Sequence, residues 1–164
     1  MDTGTQVPPL GGLIWPILWA IVSYSRRKEE IGGWLFFYYG QLYLGSVLTV
    51  LLLLANFQPA DPLYLFTIVP LSAIIIAQTV VAHRLRRTRD PAYLIPLRRI
   101  LWAHLVFAII KIAIDSKYSP IATILDGIGV IWPALWLPYF YRSVRVGHVF
   151  VTKDWMRVAE FVTD

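Results

Sequence analysis

Apolar positions gather into four stretches, residues 31–54, 63–81, 94–114 and 120–139, separated by short polar connections. One helical crossing of a bilayer needs about 20 mostly apolar residues, so each stretch is long enough for one. Inside hydrocarbon every backbone N–H and C=O must be satisfied within the protein, which leaves helices or closed barrels. Uninterrupted apolar runs of this length point to helices. The pattern therefore predicts an all-α integral membrane bundle of four transmembrane helices.

Both ends of the chain depart from that rule. Residues 7–24 are apolar but hold Pro8, Pro9, Gly11, Gly12 and Pro16, and are at the short limit for a crossing. They can span, lie in the interface, or dip in and return; a cleaved signal peptide is disfavoured because no basic residue precedes Arg26. The hexapeptide Ile14-Trp15-Pro16-Ile17-Leu18-Trp19 returns as Ile131-Trp132-Pro133-Ala134-Leu135-Trp136, and each copy runs into Tyr, Ser and Arg. If both descend in the same direction, the first makes a fifth span. At the other end, Trp155, Val158, Ala159 and Val162 share one helical face behind Asp154, a suitable N-cap. That spacing predicts a short amphipathic helix on the membrane surface. The organisation is then a Pro/Gly-rich segment with a basic linker over 1–30, a four-span domain over 31–141, and a basic tail over 142–164.

Charge supplies the orientation. Arg26, Arg27 and Lys28 precede the first span; Arg84, Arg86, Arg87, Arg89, Arg98 and Arg99 surround the connection after the second; Arg142, Arg145, Lys153 and Arg157 follow the fourth. The two other connections carry only Asp61, and Asp115 with Lys117. By the positive-inside rule the basic segments, and with them the C-terminus, are cytoplasmic. A net charge of +5 borne at the ends of apolar spans has anionic headgroups as its nearest counter-charges, so lipid is expected as a partner and nucleic acid is not. Aromatic clusters at 34–39 and 139–141 suit an interfacial belt.

Composition narrows the chemistry. Of 164 residues 57% are hydrophobic and 15% charged, and mean hydropathy is +0.60, which leaves no stretch for a separate water-soluble catalytic domain. With no cysteine there is no disulfide, thiolate metal site or thiol nucleophile. A phosphate-binding glycine loop, a His-Glu-x-x-His helix and a Gly-x-Ser-x-Gly elbow are all missing, so no enzyme is expected.

Three motifs carry a resemblance. Ile31-Gly32-Gly33-Trp34-Leu35 opens the first span, residues 84–91 are basic and end in proline, and Arg142-Ser143-Val144-Arg145-Val146 precedes Phe150-Val151. Together they resemble a bacterial family of small four-span membrane proteins, domain-of-unknown-function family 2569, over residues 31–151. Val144, Val149 and Asp90 stand where that family usually has Lys, Thr and Phe. The resemblance implies four crossings in a bacterial inner membrane and implies no reaction.

Polar residues at membrane depth are costly and are the first candidates for function. Lys111 and Asp126 face each other across the third and fourth spans if these form a hairpin, with Asp126 deeper by about 5 Å at the helical rise. They can form a buried ion pair that fixes register or a protonatable site, or Lys111 can snorkel outward. His104 is the only histidine inside a span; a helix-packing hydrogen bond is its simplest role and ligation of a tetrapyrrole metal the alternative. Gln41, Gln78 and Thr79 suit bonds between helices, and Gly40, Gly45 and Ser46 suit close helix packing. Gly32 and Gly33 allow a tight turn or close backbone approach, Trp34 and Trp155 suit the interface, and Arg142 and Arg145, three apart, would share a face toward lipid phosphates if the last helix continued.

The expected function is a non-enzymatic accessory or scaffold subunit, packing with other membrane proteins, with lipid or with itself. A small oligomeric transporter or channel using Lys111 and Asp126 is the alternative, and a pigment- or haem-holding subunit using His104 is the third.

Overall fold

The computed structural model describes residues 11–55, 57, 60–62, 64–117 and 120–157. Among these every regular element is helical and no strand occurs. Helices α1 (Gly11–Ser25), α2 (Gly33–Ala55), α3 (Val69–Thr88), α4 (Leu94–Asp115) and α5 (Pro120–Arg142) follow one another, then a short α6 (Val144–Val146). Each of the five long helices packs on its neighbour in sequence, so the chain runs back and forth. Pro70 has no N–H to return to the preceding turn, and that turn, Tyr64–Ile68, is wound as π-helix and runs directly into α3.

Two helices, Gly33–Ala55 and Tyr64–Thr88, are long and apolar enough to cross a membrane. Only 18% and 22% of their most apolar windows is buried inside the protein, so their apolar side chains point outward. Among the described residues helix α1 covers 15 residues. Arg98, Arg99 and Lys111 lie along α4.

The repeated hexapeptide acquires a spatial meaning. Helices α1 and α5 descend toward the same end of the bundle, where Arg145, just past α5, bonds to the turn that follows α1. The second tryptophan of each copy docks on the same turn of α2. Trp19 stacks on Phe36 with ring centroids 5.1 Å apart and covers Gly40; Trp136 meets Tyr38 edge-on at 4.9 Å.

The core lies toward the arginine-rich end. Leu35, Tyr38 and Leu42 of α2 meet Ala82 and Leu85 of α3, Leu97 and Leu101 of α4, and Trp136 and Phe140 of α5. Val146, Val149 and Phe150 belong to the same cluster, so the packed body extends past the boundary at 141 drawn from the sequence. The expected surface helix lies mostly outside the described residues, which end at Arg157; Trp155 is exposed and Asp154 pairs with Arg157 at 2.8 Å. Three of the aromatics assigned to an interfacial belt are core residues, since Tyr38, Tyr39 and Phe140 are fully buried while Trp34 remains exposed.

Candidate functional site

Polar side chains cross the bundle interior as a ladder. Gln78 on α3 is fully buried; its Nε2 donates to the Tyr38 hydroxyl of α2 at 3.0 Å, and its Oε1 lies 3.2 Å from His104 Nδ1 on α4. One amide thereby ties three helices. With Gln78 oriented in this way, His104 carries its proton on Nδ1 and Nε2 is the acceptor nitrogen of the ring. Two more rungs join α2 to α3: Ser46 bonds Thr79, and the Tyr43 hydroxyl lies 3.2 Å from His83 Nδ1.

Beside the ladder is a cavity of about 290 Å³, lined by Gln41, Gly45, Gln78, His104, Lys111 and Trp132 among others. Lys111 is half-buried there, so the cavity brings it together with His104. The side chain of its expected partner, Asp126, lies outside the described residues. Gln41 Nε2 is buried without a hydrogen-bond partner and borders the same space. This volume is at the floor of the range of about 300–1,000 Å³ for pockets that hold drug-sized ligands. It has room for waters or a small ion. Among the described residues no three His, Asp or Glu side chains gather as a metal site.

At the arginine-rich end the three basic segments meet. Arg145 Nη1 donates to the Glu29 carbonyl at 2.9 Å and Nη2 to that of Arg27; Glu30 pairs with Arg89 at 3.0 Å, and Arg89 lies over Phe150. Arg98 donates twice to the Phe140 carbonyl, at 3.1 and 2.6 Å, covering an acceptor in the last turn of α5. The glycine pair makes this convergence possible. Gly33 has φ +55°, a left-handed conformation that costs other residues about 1–2 kcal/mol, and a Cβ on Gly32 would overlap the Arg26 carbonyl.

Two expectations are corrected by this geometry. Ser143 is extended, with ψ 122°, and breaks the helix after Arg142, so Arg142 and Arg145 do not share a face: Arg142 is exposed, whereas Arg145 turns inward. Ser143 also starts α6, its Oγ accepting from Val146 N at 3.4 Å. Gly45 is not a close-packing position, because a Cβ there would meet nothing within 4 Å. Gly40, in contrast, is covered by the Trp19 ring so closely that a Cβ has no room.

Sequence reasoning missed Tyr38 and Arg98. Tyr38 sits in an aromatic run that reads as interface, and Arg98 in a basic run that reads as topology signal. Burial of Val146, Val149 and Phe150 was legible in principle from their spacing of three and four. No family model matches this chain, and no curated protein or solved structure matches it.

Proposed function

We propose that this chain is a four-crossing integral protein of a bacterial inner membrane, its basic end cytoplasmic, acting as a non-enzymatic accessory or scaffold subunit. The reading rests on one observation: the distribution of side chains is inverted relative to a protein in water. Gln78, His104 and Tyr38 are buried, while Val47, Leu51, Phe66, Ile76, Val106 and Ile131 are among many large apolar side chains that are two-fifths or more exposed. Contiguous apolar surface of this kind marks contact with lipid or protein. At the end away from the arginines Leu54, Phe57 and Phe66 are exposed, and a partner subunit would cover them there. The gathering of residues 26–28, 84–89 and 142–145 at one end agrees with a single cytoplasmic side, and the resemblance to the four-span family belongs to the same proposal.

The chain has no cysteine, so single cysteines at Arg87 and Lys117 report sidedness directly. In intact spheroplasts an impermeant maleimide is expected to label K117C and spare R87C until the membrane is opened. Equal labelling of both, or recovery of the chain in the soluble fraction without detergent, overturns the topology. Mild-detergent purification is expected to bring a larger membrane complex along; a chain that always elutes alone overturns the accessory role.

One observation favours the transporter reading as the alternative. Lys111, His104 and two glutamines border a cavity at membrane depth, which is where ion pathways place polar groups. Ion flux in proteoliposomes, lost on Lys111→Met, would make that reading primary.

A further inference from the structure

A groove of about 710 Å³ runs between α1, α2 and α5. Ile17, Ile21 and Phe37 line its apolar length, and Arg27, Arg145 and Ser143 close its basic end. Among the described residues neither arginine has a carboxylate partner. Arg27 lies 4.2 Å from the Tyr24 ring centre and reaches the Tyr24 carbonyl at 3.4 Å; Arg145 donates to the two carbonyls already named. The neighbouring acids are engaged elsewhere, Glu29 with Arg26 at 3.3 Å and Glu30 with Arg89. Carbonyl oxygens offer partial charge only. Burial pushes the Arg145 guanidinium below its ordinary range, with the neighbouring Tyr139 acting in the opposite sense.

Two half-buried guanidiniums, that of Arg145 bonded to the Arg27 backbone carbonyl and that of Arg27 to the Tyr24 carbonyl, thus stand at the end of an apolar wall with no carboxylate partner among the described residues. Removing such charge from water without an anion is costly, and guanidinium pairs best with phosphate or carboxylate in a forked geometry. The apolar wall continues directly from that point: Ile17 and Ile21, one helical turn apart on α1, are 58% and 60% exposed. Charge at one end and hydrocarbon along the rest is the shape of an amphiphile. A zwitterionic headgroup would bring an ammonium toward the two arginines, so a headgroup of net negative charge fits better.

We propose that this groove holds one anionic membrane phospholipid, with its phosphate on Arg27 and Arg145 and an acyl chain along Ile17, Ile21 and Phe37. The proposal rests on the membrane reading above. The bound lipid fills the space between α1 and α5 and anchors α1 to the bundle.

Native mass spectrometry of the full chain, released from mild detergent with phosphatidylglycerol or phosphatidylcholine added, tests it. The wild type is expected to retain one phosphatidylglycerol with a preference of about tenfold or more, equal to about 1.4 kcal/mol. The double substitution Arg27→Gln, Arg145→Gln should abolish the preference. Because Arg145 also ties down the turn after α1, a second variant is needed: Ile21→Trp fills the apolar wall, leaves both guanidiniums, and should expel the lipid with helical content unchanged by circular dichroism. Equal retention of the two lipids by wild type, retained lipid in Ile21→Trp, or displacement by millimolar inorganic phosphate overturns the site. A chain that stays in solution without detergent overturns the membrane reading instead, so the two failures are distinguishable.

Discussion

The two ends of this bundle are built differently. At the arginine-rich end, contacts between distant parts of the chain dominate: Arg145 reaches the turn after α1, Glu30 reaches Arg89, Arg98 reaches the end of α5, and Phe150 is fully buried beneath them. At the other end the described contacts are local, such as the Tyr64 hydroxyl on the Leu53 carbonyl at 3.0 Å and Phe57 edge-on to Tyr64. Leu54, Phe57 and Phe66 are each more than two-thirds exposed there. Among the described residues one end is closed by contacts between distant segments, and the other exposes apolar side chains. The difference shows that a helical bundle can concentrate its described internal packing toward one end.

The same substitution at two glycines breaks or sharpens this comparison. Gly32→Ala drives a methyl group into the Arg26 carbonyl, and the expected loss is about 3 kcal/mol, the top of the usual overpacking range; unfolding by a denaturing detergent in mild micelles measures it. A loss below about 1 kcal/mol would mean that the closed end yields easily. Next in size is Gln78→Leu, which removes bonds to both Tyr38 and His104. It should cost about 2 kcal/mol in the same titration, at about 1 kcal/mol for each hydrogen bond. Gly45→Ala faces open space, so only helix propensity acts, and the protein should gain up to about 1 kcal/mol. A destabilised Gly45→Ala would show that the cavity wall is packed after all. Trp34→Ala, at an exposed ring with one edge contact to Phe37, should change stability by no more than about 0.5 kcal/mol.

Much of the candidate site was legible because its residue types are unusual in their surroundings. Gln78 and His104 stand out in apolar runs, and their expected role as bonds between helices matches the ladder observed. Their geometric partner was hidden, since nothing distinguishes Tyr38 from Tyr39 along the sequence and both are buried; the rotation of α2 selects which hydroxyl meets Gln78. Arg145 was visible as a cation, but its direction depends on the break at Ser143, a single residue whose extended backbone turns the chain back under the bundle.

By itself the sequence determined the helical class, the apolar segments and the clustering of charge, because these follow from local composition and from what hydrocarbon tolerates in a backbone. It also marked Gly32-Gly33 as a tight turn or a close backbone approach, since a residue without Cβ permits either. Tertiary structure alone decided that Tyr38 is core, that Gly45 borders a cavity while Gly40 is filled by Trp19, and that Arg27 and Arg145 share one groove. Those outcomes depend on how helices distant in sequence rotate and cross, and on which atoms then compete for the same space, a quantity that no local pattern encodes.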